Sequence, residues 1–128
     1  MKIFAIADDS PVIRKVTRRL VEDYGFVVVE APDGNSALSL CRTNMPDAIL
    51  VDWEMPDMHG VDVVREIAAM PEAERCKIVF MTSEMLVPEM TRAKRAGAAG
   101  FLMKPFNRKI LAAKLGELGL IEPGQKAA

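Results

Sequence analysis

The chain has 128 residues, half of them hydrophobic, with 17 basic and 18 acidic side chains and a formal net charge of -1; this is one domain's worth of chain, able to build a core without disulfide or metal, and its charge balance gives no general attraction to nucleic acid or a membrane surface. The two cysteines, Cys41 and Cys76, belong to no Cys-x-x-Cys pair and the single histidine, His59, is not close to either, which argues against a zinc site. The opening MKIFAIADDS is too short an apolar run for a signal peptide, and no later run approaches the roughly 18 residues of a membrane span, so a cytoplasmic chain is expected.

Residues 2–7 predict a first strand, with Asp8 and Asp9 directly after it. Ser10-Pro11 then opens a helix, a capping hydroxyl followed by proline at the first helical position. Ile13, Val16 and Leu20 share its apolar face, Arg14, Arg18 and Arg19 are expected in water, and Tyr24-Gly25 ends it. Residues 27–30 form the second strand, and residues 35–43 a helix with Ala37, Leu38 and Cys41 on one side, barred from extension by Pro46. Residues 48–51 are the third strand, closed by Asp52; the next helix, 61–70, buries Val63, Val64 and Ile67 and stops before Pro71. A fourth strand, 77–81, leads into Thr82 and Ser83, and a weaker helix, 88–96, uses Met90 and Ala93 with Gly97 as its cap. Residues 100–103 are the fifth strand, followed by Lys104-Pro105. Asn107 caps the last helix, whose apolar stripe is Ile110, Leu111, Leu115 and Leu118. The expected domain is 1–121, with a frayed tail at 122–128.

The strands are nearly continuous in apolar residues, as strands buried on both faces must be. Repeating βα units imply a doubly wound α/β fold, a parallel sheet with helices on both faces, whose ligands bind at the carboxyl ends of the strands. Those ends carry Asp8, Asp9, Asp52, Thr82, Ser83 and Lys104. Like-charged carboxylates about 4 Å apart repel by roughly 4 kcal/mol per pair at an effective dielectric near 20. Lys104 supplies one positive charge, and a hard divalent cation such as Mg²⁺ is the natural remainder.

Four stretches, ADDSPVIRK, ILVDWEMPDMHG, IVFMTSE and AGAAGFLMKPF, resemble the receiver domain of two-component response regulators, and the resemblance runs from Lys2 to about Leu118. It is greatest to the stand-alone, CheY-like members. It implies five parallel strands in the order 2-1-3-4-5, a flavodoxin-like arrangement. It implies that Asp52 is the phosphoacceptor and that Mg²⁺ is bound by Asp9, Asp52 and the backbone carbonyl of Glu54, with Asp8 acting through a water. Lys104 would pair with the phosphoryl group across a cis Lys104–Pro105 peptide. Thr82 would bond a phosphoryl oxygen, Phe101 would be the aromatic switch, and Glu54, Ser83 and Glu84 would tune the kinetics. The small Ser83 leaves room for a donor imidazole. The implied partners are a histidine kinase or phosphotransfer protein as donor and a downstream protein on the surface of the fourth helix, fifth strand and fifth helix. No nucleic acid or membrane partner is expected, and the chain is expected as a monomer or weak dimer. It would be a signalling domain, catalysing only its own phosphorylation and dephosphorylation, with motor control in chemotaxis, relay shuttling and a phosphate sink all open as outputs.

This chain departs from the family at His59, where Asp or Asn is usual, and at Phe101, which lacks a tyrosine's hydroxyl. A metal-dependent phosphatase of related fold would carry a second catalytic aspartate two residues past the nucleophile, where this chain has Glu54. A degenerate, constitutive binding module would lack some of the pocket residues, and all are present. Arg92, Lys94 and Arg95 are read as a solvated helix face and not as an anion site.

Overall fold

The structure, a computed structural model, describes residues 2–128, so Met1 of the expected domain lies outside it. Five strands, β1 (Ile3–Ala7), β2 (Val27–Ala31), β3 (Ala48–Asp52), β4 (Lys77–Thr82) and β5 (Gly100–Met103), make one sheet in the order β2-β1-β3-β4-β5. Every pairing is parallel. The helices are α1 (Pro11–Glu22), α2 (Gly34–Thr43), α3 (Gly60–Ala68), α4 (Val87–Ala96) and α5 (Arg108–Glu117), with a 3-10 turn at Ala73–Arg75. The sequence placed every strand within a residue or so of its ends; α2, α3 and α4 each begin one residue earlier than expected.

The period of two along each strand divides the core into two layers. Ala5, Ala7, Ile49, Val51, Ile78 and Phe80 face one side with the buried residues of α2, α3 and α4, among them Leu38, Val64 and Ala93. Phe4, Ile6, Leu50, Val79 and Met81 face the other with Val21 of α1 and Leu111 and Leu115 of α5. Both faces being covered is why these strands read as unbroken apolar runs. At 25 cal/mol per Å², a fully buried side chain such as Ile49 or Phe80 contributes roughly 2–3 kcal/mol.

Helix α1 is rotated from the expected face. Thr17 and Val21 are buried, while Val12 and Val16 are exposed beside Pro105 and Phe106. The arginines are not simply in water: Arg14 and Arg18 both reach Glu30 on the edge strand β2, and Arg18 also donates to the Val28 carbonyl. The rotation places the arginines over the sheet edge, where unpaired carbonyls and a carboxylate receive them. In α5, Ile110 is about half exposed, so the buried stripe is Leu111 and Leu115. Leu120 and Ile121, the last residues of the expected domain, are buried, and in the tail beyond them the Ala128 N–H donates to the Asp23 carbonyl. Among the described residues, no helix is long and apolar enough to cross a membrane.

Both cysteines are reduced and buried in the α2–α3 layer. Burial pushes the Cys41 thiol up to about 11, and burial with Cys41 and Asp47 nearby pushes Cys76 to about 12. The thiolate is the reactive form, so neither group should react at pH 8. A disulfide-exchange reagent should label neither thiol in the native chain and both after denaturation, read by intact mass. Complete labelling within minutes under native conditions would contradict this packing.

Candidate functional site

The carboxyl end of the sheet is built from the loops after β1, β3, β4 and β5. Asp8 is fully buried and each of its polar groups is engaged. Its N–H donates to the Ala31 carbonyl at 3.1 Å and its carbonyl accepts from Arg14 Nη1 at 2.7 Å. Its Oδ1 accepts from the Ser10 N–H at 2.9 Å and its Oδ2 from Lys104 Nζ at 3.0 Å. Ser10 in turn caps α1 by accepting from the Ile13 N–H, so the β1–α1 turn is fixed from both sides. Asp9 is exposed, and among the described residues no side-chain hydrogen bond or ion pair reaches its carboxylate.

Asp52 closes the central strand β3 and is buried. Lys104 Nζ lies 2.8 Å from its Oδ1, an ion pair that is that buried oxygen's one partner among the described residues. One carboxylate oxygen from each of Asp8, Asp9 and Asp52 comes within 4.8 Å of the others. Burial pushes the Asp52 carboxyl above the usual range; Lys104 opposes this and the Asp8 charge adds to it. Burial works against the charge on Lys104, but the bonds to Asp52 and Asp8 outweigh it and raise its pKa. The two shifts have different causes: burial for the aspartate, and two carboxylate partners for the lysine. The Lys104–Pro105 peptide is cis.

The donor set fits a hard divalent cation. It is all oxygen, and its three carboxylates carry more negative charge than Lys104 cancels. Glu54 belongs to a short loop in which it pairs with His59 across an isolated bridge. That bridge is made by the Gly60 N–H to the Trp53 carbonyl and the Met55 N–H to the Met58 carbonyl, so it consumes neither the N–H nor the C=O of Glu54. The Glu54 carboxylate turns toward His59 Nδ1, 3.7 Å away; Lys104 is occupied by Asp8 and Asp52.

Thr82, at the end of β4, is buried, and its hydroxyl is turned into its own loop. It donates to the Glu84 carbonyl at 2.9 Å and accepts from the Glu84 N–H at 3.2 Å. A cavity of about 150 Å³ beside it is lined by Trp53, Thr82, Ser83, Glu84, Leu86 and Glu89. Phe101 is half-buried on β5, edge-on to Phe80 with ring centroids 6.4 Å apart. The fold therefore brings Asp8, Asp9, Asp52 and Lys104 into one cluster, with Thr82, Ser83 and Glu84 along one rim and Glu54 on the loop after β3.

Two contributors escaped the sequence reading. Arg14 binds the Asp8 carbonyl, as above. Asp57 accepts from the N–H groups of Gly34 and Asn35, both at 2.8 Å, tying the loop after β3 to the start of α2. Those bonds, the Asn35 N–H first, hold the Asp57 carboxyl below its usual range. An aspartate two residues before a turn gave no hint of a partner 23 positions away in the sequence.

Residues 4–116 match the response regulator receiver domain family. The chain is 33% identical over 116 residues to the chemotaxis protein CheY of Pseudomonas aeruginosa, covering 90% of this chain and 93% of that one. It is 34% identical over 119 residues to CheY-3 of Vibrio cholerae, covering 92% and 91%. Among solved structures, Vibrio cholerae CheY4 superposes with a TM-score of 0.86 at 31% identity, covering 91% of this chain and 98% of that one. The receiver domain of a Pseudomonas aeruginosa sensor histidine kinase, solved with a magnesium ion coordinated in its active-site cleft, gives 0.82 at 28% identity, covering 91% and 95%. Fold, pocket and family match agree: this chain belongs to the response regulator receiver domain family.

Proposed function

We propose that this chain is a cytoplasmic phosphorylation switch that accepts a phosphoryl group on Asp52 and thereby changes its affinity for a protein partner. The observation that carries this is the Asp52 carboxylate itself: buried at the end of the central strand, 2.8 Å from the Lys104 ammonium and clustered with the Asp8 and Asp9 carboxylates. A carboxylate held so is a nucleophile toward phosphorus. An Asp52 oxygen attacks the phosphorus of a phosphohistidine on a kinase or phosphotransfer protein, the P–N bond breaks, and the imidazole leaves as its nitrogen takes a proton. Phosphoryl transfer asks the protein mainly for alignment and charge neutralisation.

Asp9, Asp52 and the Glu54 carbonyl would hold Mg²⁺, with Asp8 acting through a water. When bound, the cation neutralises charge on the phosphoryl oxygens. Lys104 supplies a second positive charge against Asp8 and Asp52. Ser83 is small enough to leave the approach open, and Glu54 and Glu84 place negative charge near it.

The change is passed outward through Thr82. Its hydroxyl can reach a phosphoryl oxygen only by releasing Glu84, and that loop leads directly into α4. Leu86, Val87 and Met103 stand exposed at the start of α4 and on β5, and Phe101, two residues before Met103, is half-buried against the core. An apolar surface so placed suits a protein partner. The phosphoryl group shifts the equilibrium only by its differential interaction with the two arrangements of Thr82.

Incubation with a small acyl phosphate and Mg²⁺ should add one phosphoryl group to the wild type and none to Asp52→Asn, read by intact mass. Equal labelling of both would place the acceptor elsewhere.

A further inference from the structure

We propose that Arg14 is a positioning residue for the metal pocket: clamped by Glu30, it fixes the Asp8–Asp9 peptide and so aims the Asp9 carboxylate. The inference rests on the reading above, in which Asp9 is a Mg²⁺ ligand. Arg14 Nη1 donates to the Asp8 carbonyl at 2.7 Å while its Nε donates to Glu30 Oε1 at 3.0 Å. The side chain is only 16% exposed, so this is a fixed bridge between α1, the pocket turn and the edge strand.

The mechanism lies in the planarity of the peptide. The Asp8 carbonyl oxygen shares a rigid plane with the N and Cα of Asp9. Pinning that oxygen fixes where the Asp9 N and Cα sit, and the Ser10 cap of α1 holds the chain on the other side of Asp9, so its Cα–Cβ bond has little freedom to turn. Asp8 needs no such help, since its own carboxylate is held by Ser10 and Lys104. Asp9 does, because among the described residues no group holds its carboxylate, which nevertheless lies within 4.8 Å of Asp8 and Asp52 oxygens. The guanidinium fork suits this task, as it can bond two acceptors in a fixed relation where an ammonium cannot. Glu30 is shared with Arg18, which fastens the clamp to β2.

Two roles for Arg14 predict opposite signs. If it contributed only charge, removing a cation next to an acidic cluster would strengthen Mg²⁺ binding. If it positions Asp9, removing it should weaken binding. Partners that orient metal ligands typically cost 10–100-fold in affinity when lost, and Arg14→Ala is expected to weaken Mg²⁺ by about tenfold. Arg14→Lys keeps the charge but not the fork, and should weaken it several-fold. Glu30→Gln loosens one end of the clamp and should weaken it about twofold to fivefold. Arg19→Ala removes one charge from the exposed side of the same helix and should leave affinity within twofold of wild type.

The experiment is a titration of the full chain with MgCl₂ at constant ionic strength, read by Trp53 fluorescence and by the shift in melting temperature. A wild type that does not respond to Mg²⁺ by either reading would sink the metal assignment itself. A responding wild type with Arg14→Ala and Arg14→Lys binding as tightly as it, or tighter, would overturn the positioning role alone. Should Arg14→Ala fail to fold, Arg14→Lys decides, since it keeps the charge: affinity equal to wild type refutes the clamp, and weakened affinity with an unchanged metal-free melting temperature supports it.

Discussion

Alanine in place of Gly60 should destabilise the domain by about 3 kcal/mol and displace the proposed acceptor, although the substitution adds one methyl group at the start of a helix. A Cβ there would lie 2.3 Å from the Asp52 carbonyl oxygen, 2.8 Å from Trp53 Cα and 3.0 Å from Phe80 Cε1. The first two are backbone and the third is a fully buried ring, so nothing nearby yields cheaply. The Gly60 N–H also donates to the Trp53 carbonyl at 2.7 Å, and that bond must stretch if α3 backs away. Overpacking of this kind costs typically about 1–3 kcal/mol, more when the backbone must move. Gly34 provides the contrast. A Cβ there meets only the Met58 side chain, at 2.7 Å from Sδ and 2.9 Å from Cγ and Cβ. The sulfur end can repack, but Cβ moves only with the loop that carries it, so part of the clash remains. Urea midpoints should therefore fall sharply for Gly60→Ala and less for Gly34→Ala. Equal midpoints would mean that α3 can slide without disturbing β3. Because Asp52 is the residue directly under the added methyl, labelling by a small phosphodonor should fall with stability for Gly60→Ala and persist for Gly34→Ala.

The sheet was legible because each strand is an unbroken apolar run ended by a polar or turn residue, and the pocket because its carboxylates, hydroxyls and lysine recur at successive strand ends. What could not be read were bonds whose geometry depends on helix rotation. Val16 sits at helical spacing from Ile13 and Leu20, so periodicity assigned it inward; the packing of α1 buries Thr17 and Val21 in its place and leaves Val16 exposed. The same rotation carries Arg14 from its expected place in solvent to the Asp8 carbonyl. His59 stands at the N-cap of α3, where Asp or Asn would bond the helix; its side chain makes no cap bond and faces Glu54. Glu72 in a left-handed conformation before the 3-10 turn had no glycine or asparagine to announce it. Periodicity reports which residues are apolar, not which neighbour a long side chain will choose.

Lys104→Met should cost about 3 kcal/mol of stability without metal, and Mg²⁺ should recover most of it. Lys104 Nζ sits between Asp8 Oδ2 at 3.0 Å and Asp52 Oδ1 at 2.8 Å, with both carboxylates almost wholly shielded from solvent. Methionine keeps the length of the side chain and removes the charge, so packing changes little and the electrostatics change most. Breaking a buried ion pair by removing one partner costs about 3–5 kcal/mol, because the other charge is left uncompensated. Here two carboxylates are left, and they also face each other. Mg²⁺ at about 100 times its Kd adds about 2.7 kcal/mol to a native state that binds it. With the competing ammonium gone, the cation should bind the variant more tightly than it binds the wild type, so the stability gap narrows as Mg²⁺ rises. Asp9→Ala should behave in the opposite way. Its carboxylate is exposed and adds repulsion to the cluster, so its loss should leave the metal-free domain at least as stable and abolish the response to Mg²⁺. Urea denaturation of the three proteins across a Mg²⁺ series tests both signs. A Lys104→Met protein as stable as wild type without metal would show that Asp8 and Asp52 balance their charges without the lysine, for instance by sharing a proton, and that Lys104 matters to the phosphoryl group alone.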